Sequence, residues 1–367
     1  MRLEFIDGLR GLFALLVIYD HYNLIFLQTL PHDLYINSVN VCGFFIITGF
    51  VLSYRYWQDK NSARLTSAAL RRYFRLTVAP LTAILIVYFL LRGNFIFLHE
   101  LEKFINLPEW VRAFYNFAPS LKDALYEGLW GMYFSYFQPT SYNPVLWTMQ
   151  YELKGSFLAL AFLALFGRLE NRTPLYLIFS VLTILIDVTY FSFLFGIWLS
   201  DKLAAENNSV PKLSAAGNFL IFAALTAGIF FAFYAGDAGF YLYDKINFQL
   251  FGTLKILPQV FYHTAGAAII IFTVSRSAVL RKIFSMKLFT EAGAHSFSLY
   301  VLHIPILFSA GGFIFLKAIN GGLTFATSVI CSSIAALFIT FLAVKFFNKF
   351  IDVPAGKFAK RIEKFFY

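Results

Sequence analysis

The first apolar stretch of the chain, FIDGLRGLFALLVIYDH, contains three ionisable side chains, Asp7, Arg10 and His21. At about 100° per residue, the steps from Asp7 to Arg10 and from Arg10 to His21 return to one helix face. A rise of about 1.5 Å per residue puts Arg10 ~16 Å and Asp7 ~21 Å from His21. Ionisable groups at membrane depth cost a few kcal/mol each and usually face a bundle interior or a wet cavity. The stripe is therefore a candidate active site, in which an imidazole can take part in proton transfer. Asp7 is too far away to orient His21 and is expected to pair with an arginine nearer its own end of the helix.

Three further groups suit that chemistry. Glu152, in NPVLWTMQYELKG, is expected at a depth similar to His21. His303, in SFSLYVLHIPIL, follows Ser296 and Tyr300 on roughly the same helix face. Arg71, Arg72 and Arg75 fall within about one turn in LRRYFRLTVAP, where guanidinium groups can hold phosphate oxygens bidentately. Each has a plainer reading. Asp7 and Arg10 can form a snorkelling interfacial pair, and His21 can be a packing residue. Glu152 can pair with Lys154 or Arg112, His303 can bond a backbone carbonyl, and the arginines can be topology anchors.

The elements that position these residues follow from composition. Of 367 residues, 59% are hydrophobic and 14% charged, and mean hydropathy is +0.68. A soluble domain is nearer 45–50% apolar and about 25% charged. The pattern predicts an all-α, polytopic membrane helical bundle of about ten spans, near 7–27, 39–56, 76–92, 145–166, 175–190, 191–204, 216–234, 255–274, 294–312 and 323–346. With the termini on one side, 21 lysines and arginines fall in the inner loops and tails against 7 outside, which assigns both termini to the cytoplasm. The net charge of +10 is then mainly a topology signal with some affinity for anionic lipid, and nucleic acid is not expected as a partner. The N-terminal stretch reads as a retained span because charges interrupt its apolar run and no small-residue cleavage site follows. Cys42 and Cys331 read as small buried residues, with neither disulfide framework nor metal spacing. Two long outer loops are expected, 93–144 and 235–254. The first contains LYEGLWGMYFSYF, too short to span and suited to an interfacial or re-entrant helix.

Six segments in order resemble the acyltransferase-3 family of membrane O-acyltransferases, over nearly the whole chain. FIDGLRGLFALLVIYDH is similar to its L-D-G-L-R-G…His first helix, GFFIITGFVLSYRY to F-F-x-x-S-G-F, and RRYFRLTVAP to R-R-x-x-R-x-x-P. LWTMQYE resembles L-W-S-L-x-x-E, giving Trp147 and Glu152. HSFSLYVLH resembles S-Y-x-x-Y-L-x-H, giving Ser296, Tyr300 and His303, and IDVPAGKFAKR resembles an E-x-P ending. Thr48 and Thr148 stand for Ser, Met149 and Val301 for Leu, Phe297 for Tyr, and Asp352 for Glu. None of these departures is expected to touch the ionisable set within the membrane.

The resemblance implies an acyltransferase-3 transmembrane domain over 1–350 and a short basic cytoplasmic tail over 351–367. It implies transfer of an acyl group, typically acetyl from acetyl-CoA, to a hydroxyl of a carbohydrate or lipid-linked glycan, in a plasma membrane such as the bacterial inner membrane. A fused hydrolase-like domain, found in some members, is not expected here. His21 would be a general base or carry the acyl group covalently. Glu152 or His303 would orient it or relay its proton, Arg72 and Arg75 with Arg71 would bind CoA phosphates, and Arg10 would line the donor channel. Asp7, Trp147, Tyr300 and Ser296 would support the site. No metal or permanently bound cofactor is expected. The competing reading is a transporter or flippase that uses the same residues as a proton relay, but the chain shows no internal repeat.

Overall fold

The computed structural model describes residues 3–28, 37–234, 246 and 257–363. Every regular element among them is helical. In chain order the main helices are α1 (Glu4–Tyr22), α2 (Asn37–Asp59), α3 (Ala63–Arg92), α4 (Leu121–Tyr126), α5 (Met149–Phe166), α6 (Thr173–Ala205) and α7 (Ala215–Ala232). They continue with α8 (Pro258–Arg276), α9 (Ala278–Phe284), α10 (Lys287–Ala294), α11 (Ser296–Ile306), α12 (Gly312–Asn320), α13 (Phe325–Phe347) and α14 (Val353–Glu363). Seven helical runs are long and apolar enough to cross a membrane: Glu4–Leu27, Ser38–Asp59, Ala63–Arg92, Thr173–Ala205, Ala215–Ala232, Ser296–Asn320 and Phe325–Glu363. The second expected outer loop, 235–254, lies outside the described residues except for Ile246.

The chain forms two compact units. One comprises Met1–Val17, Pro31–Leu70 and Lys154–Ala294; the other comprises Ile18–Leu30, Arg71–Leu153 and His295–Tyr367.

In the first unit, Leu9, Phe13, Ile46, Phe50, Leu199, Ala267 and Ile271 share one buried core. Glycines set its helix spacing. A methyl group at Gly8 would overlap the Phe284 carbonyl oxygen, and one at Gly11 would overlap that of Phe289. The first half of α1 therefore lies backbone to backbone against α9 and α10. The segment expected as two spans, 175–190 and 191–204, is α6. Arg172 Nη2 lies 2.8 Å from Asp201 Oδ1, and Tyr176 OH donates to Asp201 Oδ2 at 3.0 Å. A straight helix would hold those residues on the order of 40 Å apart, so α6 folds back on itself. The reversal is at Asp187, the one residue within α6 with non-helical backbone angles (φ −165°, ψ 114°). Its carboxylate accepts the Thr189 N–H at 2.9 Å and so caps the second limb.

In the second unit, α11 and α12 are joined by a π-helical turn, Leu307–Gly311. Pro305 lacks an N–H, which leaves the Val301 carbonyl without its helical donor. Asn143 Nδ2 donates to that carbonyl at 2.8 Å. Ser332 on α13 donates to the Gly311 carbonyl at 2.7 Å, where the turn disturbs the helical ladder. The helical run from α4 through Phe134 lies along α3: Tyr73 OH donates to the Leu129 carbonyl at 2.6 Å, the Thr77 hydroxyl meets Tyr133 OH at 3.1 Å, and Gly128 sits against Leu81.

Three expectations change. Of the segment expected as a short basic tail, 351–367, the described part to residue 363 is packed: α14 docks on α3 through Phe74 and Phe358, ring centroids 6.3 Å apart, and through Arg71 and Glu363 at 3.1 Å. Its alternating basic and apolar residues give it a buried side at Ala355 and Ala359, while residues 364–367 lie outside the described set. Cys331 is exposed rather than buried, because α13 turns its serine face, Ser328 and Ser332, inward instead. The helix expected as the fourth span begins at Met149 rather than 145, after a 3₁₀ turn at Pro144–Thr148.

Candidate active site

The end of α1 and the middle of α11 bring two histidines together within the second unit. The rings of His21 and His303 are 4.9 Å apart between centroids, tilted by 60°. Both are buried, His303 completely. His303 Nδ1 lies 3.0 Å from the Leu299 carbonyl. A carbonyl only accepts, so Nδ1 carries the hydrogen and Nε2 keeps its lone pair. That Nε2 is buried without a hydrogen-bond partner. A buried basic nitrogen with no donor, beside a second imidazole, is able to accept a proton.

One turn before His303 on α11, Tyr300 OH donates to the Val145 carbonyl and accepts from the Thr148 hydroxyl at 2.6 Å. One turn earlier again, Phe297 stacks with Tyr300 and lies under the Arg75 guanidinium, 5.5 Å from its centre. Helix α11 thus runs from an arginine group at Phe297 to the histidine pair, a rise of about 9 Å. The other end of the run, at Asn320, is ~25 Å beyond His303. Along α11 the pair is nearer the arginine group than the far end of the run, while His21 lies in the last turn of α1.

The three arginines each meet a carboxylate. Arg72 bonds Glu152, Arg75 bonds Asp352, and Arg71 bonds Glu363. This corrects one expectation. Glu152 is not level with the histidines. The 3₁₀ turn places Thr148 opposite Tyr300, and Glu152, one turn further along α5, comes to Arg72. The departures from the family pattern border the site: Thr148 holds Tyr300, Phe297 packs on Arg75, and Asp352 holds Arg75. Each keeps the needed group, a hydroxyl, an aromatic face or a carboxylate.

The remaining predicted residues are more peripheral. Ser296 is buried at the start of α11. Trp147 packs edge-on against Tyr151, centroids 6.0 Å apart. Asp7 and Arg10 belong to the first unit, where their nearest charged atoms are 4.0 Å apart one turn along α1; Asp7 thus pairs with its own helix's arginine. Among the described residues no group of three or more His, Cys, Asp and Glu could hold a metal ion.

Sequence reasoning missed Asn143 and Glu127. Asn143 is fully buried and bonds the carbonyl that Pro305 frees; the proline inside SFSLYVLHIPIL was the available signal. The Glu127 carboxylate accepts from the Ser141 hydroxyl at 2.6 Å and the Tyr142 N–H at 2.8 Å, tying the helical run 121–134 to the chain that leads into Asn143.

These features define an all-helical membrane protein with a buried imidazole pair close to a bank of arginines. A family model described as an acyltransferase domain, Acyl_transf_3, matches residues 3–345. The chain belongs to the acyltransferase-3 family. It is similar to a protein named acyltransferase clz18 from Cochliobolus lunatus, 22% identical over 96% of this chain and 94% of that protein. It is also similar to one named acyltransferase R4 from Phoma sp., 23% identical over 89% of this chain and 81% of that protein. No solved structure matches it.

Proposed function

We propose that the chain moves an acyl group, most simply acetyl, from acyl-CoA in the cytosol to a hydroxyl of a carbohydrate or lipid-linked glycan reached from the opposite face of the membrane. Family membership supports acyl transfer, and the observation that carries the chemistry is the unpartnered Nε2 of His303 beside His21. One imidazole takes the acceptor's proton as its oxygen attacks the thioester carbonyl, and the thiolate of CoA leaves with a proton returned from the pair. In the covalent variant, His21 first accepts the acyl group and passes it on.

The arginines suit the donor. A guanidinium has five N–H donors, and one carboxylate leaves several of them for phosphate oxygens. Arg72 and Arg75 would hold the CoA phosphates, with Arg71 beside them, while Glu152 and Asp352 keep the guanidinium groups in place. The ~9 Å along α11 from Phe297 to His303 is shorter than an extended pantetheine arm. Arg10 keeps a donor-side role on α1.

We read ten spans by counting the two limbs of α6 separately and adding α5 and α8, and under the positive-inside rule that count would put both termini in the cytoplasm. The membrane is the one that bounds a cytosol containing acyl-CoA.

The test is transfer of label from acetyl-CoA to a panel of glycans by membranes holding the parent or a His21→Ala variant. Loss of one general base or nucleophile lowers the rate by about 10²–10⁴-fold. A variant that transfers label as well as the parent refutes the assignment.

A further inference from the structure

Within the second unit, the helical run 121–134 and the returning chain 135–142 enclose a half-open cavity of about 300 Å³, at the small end for a ligand site. Its walls include Phe117, Tyr136 and Tyr142, with Phe117 and Tyr142 edge to face at 5.0 Å. Its polar groups include Glu127, Asp123 and Ser135. We propose that this cavity seats one sugar ring of the acceptor, one of its hydroxyls on the Glu127 carboxyl and its C–H faces on the aromatic walls. The proposal rests on the acyl-transfer reading above and names the class of acceptor.

The chemistry of the lining selects among ligands. No lysine or arginine lines the cavity, so the polyanionic donor has no counter-charge there. Aromatic walls offer flat apolar surface with polarised edges, which suits a ring that is apolar on its faces and polar around its rim. The Glu127 carboxylate accepts from the Ser141 hydroxyl and from the Tyr142 and Asn143 N–H groups, so it is held rigidly and its remaining lone pair has capacity for a ligand hydroxyl. Burial pushes the Glu127 carboxyl up to about 7, against the Ser141 and Tyr142 bonds that favour its ionised form. Near neutrality it is therefore partly uncharged, able to donate as well as accept, which a neutral polyol uses and a cation does not.

The experiment uses the full chain in lipid nanodiscs, with methyl β-glucopyranoside and octyl β-glucopyranoside as probes. Binding is read by equilibrium dialysis of the radiolabelled glycosides, and KM values are measured with acetyl-CoA as donor. Ser135→Trp, which fills the cavity from an exposed position, is expected to weaken glycoside binding and raise glycoside KM by about tenfold or more, with KM for acetyl-CoA unmoved. Glu127→Gln, an isostere that still donates and accepts, is expected to stay within about threefold, and Glu127→Leu to behave like Ser135→Trp. A response to octyl glucoside alone assigns a lipid-borne sugar, and a response to both assigns a free one; either supports the proposal. Absence of saturable binding by either glycoside overturns it, as does binding that survives Ser135→Trp. Loss of binding in Glu127→Gln overturns the neutral-sugar assignment in favour of a cation. Because binding is measured without turnover, glycoside binding by a protein that transfers no acyl group would sink the acyl-transfer reading alone.

Discussion

Tyr300 shows how one side chain couples the site to its support. Its hydroxyl fills the Val145 carbonyl at the entry to α5 and takes a bond from Thr148, one turn before His303 on its own helix. Removing that oxygen leaves the buried Thr148 hydroxyl without its partner, which costs about 1–3 kcal/mol. Tyr300→Phe is therefore expected to lower unfolding stability in detergent by that amount, while Thr148→Ser, which keeps the hydroxyl, stays within about 0.5 kcal/mol. A Tyr300→Phe protein as stable as the parent contradicts the supporting role. The residue types of the site were legible in the sequence because ionisable groups in apolar runs stand out by their cost. Their partners were not. Helical spacing tells which residues share a face, so Ser296, Tyr300 and His303 sorted together. It does not tell which face of another helix they meet, so the bond of Glu152 to Arg72 was invisible.

At the scale of elements, α11 is built around a missing hydrogen bond. Pro305 frees the Val301 carbonyl two residues before His303, and Asn143 supplies the donor from another segment. Asn143→Leu alone is expected to cost about 1–3 kcal/mol. Combined with Pro305→Ala it is expected to cost half of that or less, since the restored N–H at position 305 can take the carbonyl. A double-mutant cycle in unfolding free energy checks this, and strictly additive losses refute it. Span boundaries were read well where apolar runs are uniform and less well where a polar turn interrupts them. The 3₁₀ turn at Pro144–Thr148 delays α5 and so moves Glu152 away from the histidines. The fold-back of α6 was expected as two short spans divided at 190/191; the reversal lies at Asp187, whose carboxylate serves as a helix cap.

For the whole molecule, the readable quantity is the sorting of basic residues. Twenty-one against seven predicts that a tag following α14 is protected from protease in sealed spheroplasts and exposed after lysis. Cleavage from outside the sealed cells reverses the topology and, with it, the side from which acyl-CoA approaches the arginines. The two compact units also divide the predicted stripe: Asp7 and Arg10 belong to one and His21 to the other, although a single helix carries all three.

That helix has a history as well as a position. Gly8 and Gly11 exist as glycines because the backbones of α9 and α10 press against them. Yet α1 leaves the ribosome well before residues 284–293 are made. Until then it packs on α2 through Phe13 and Phe44 while its glycine groove stays open. A nascent chain arrested before residue 284 therefore holds α1 with one side docked and the other bare.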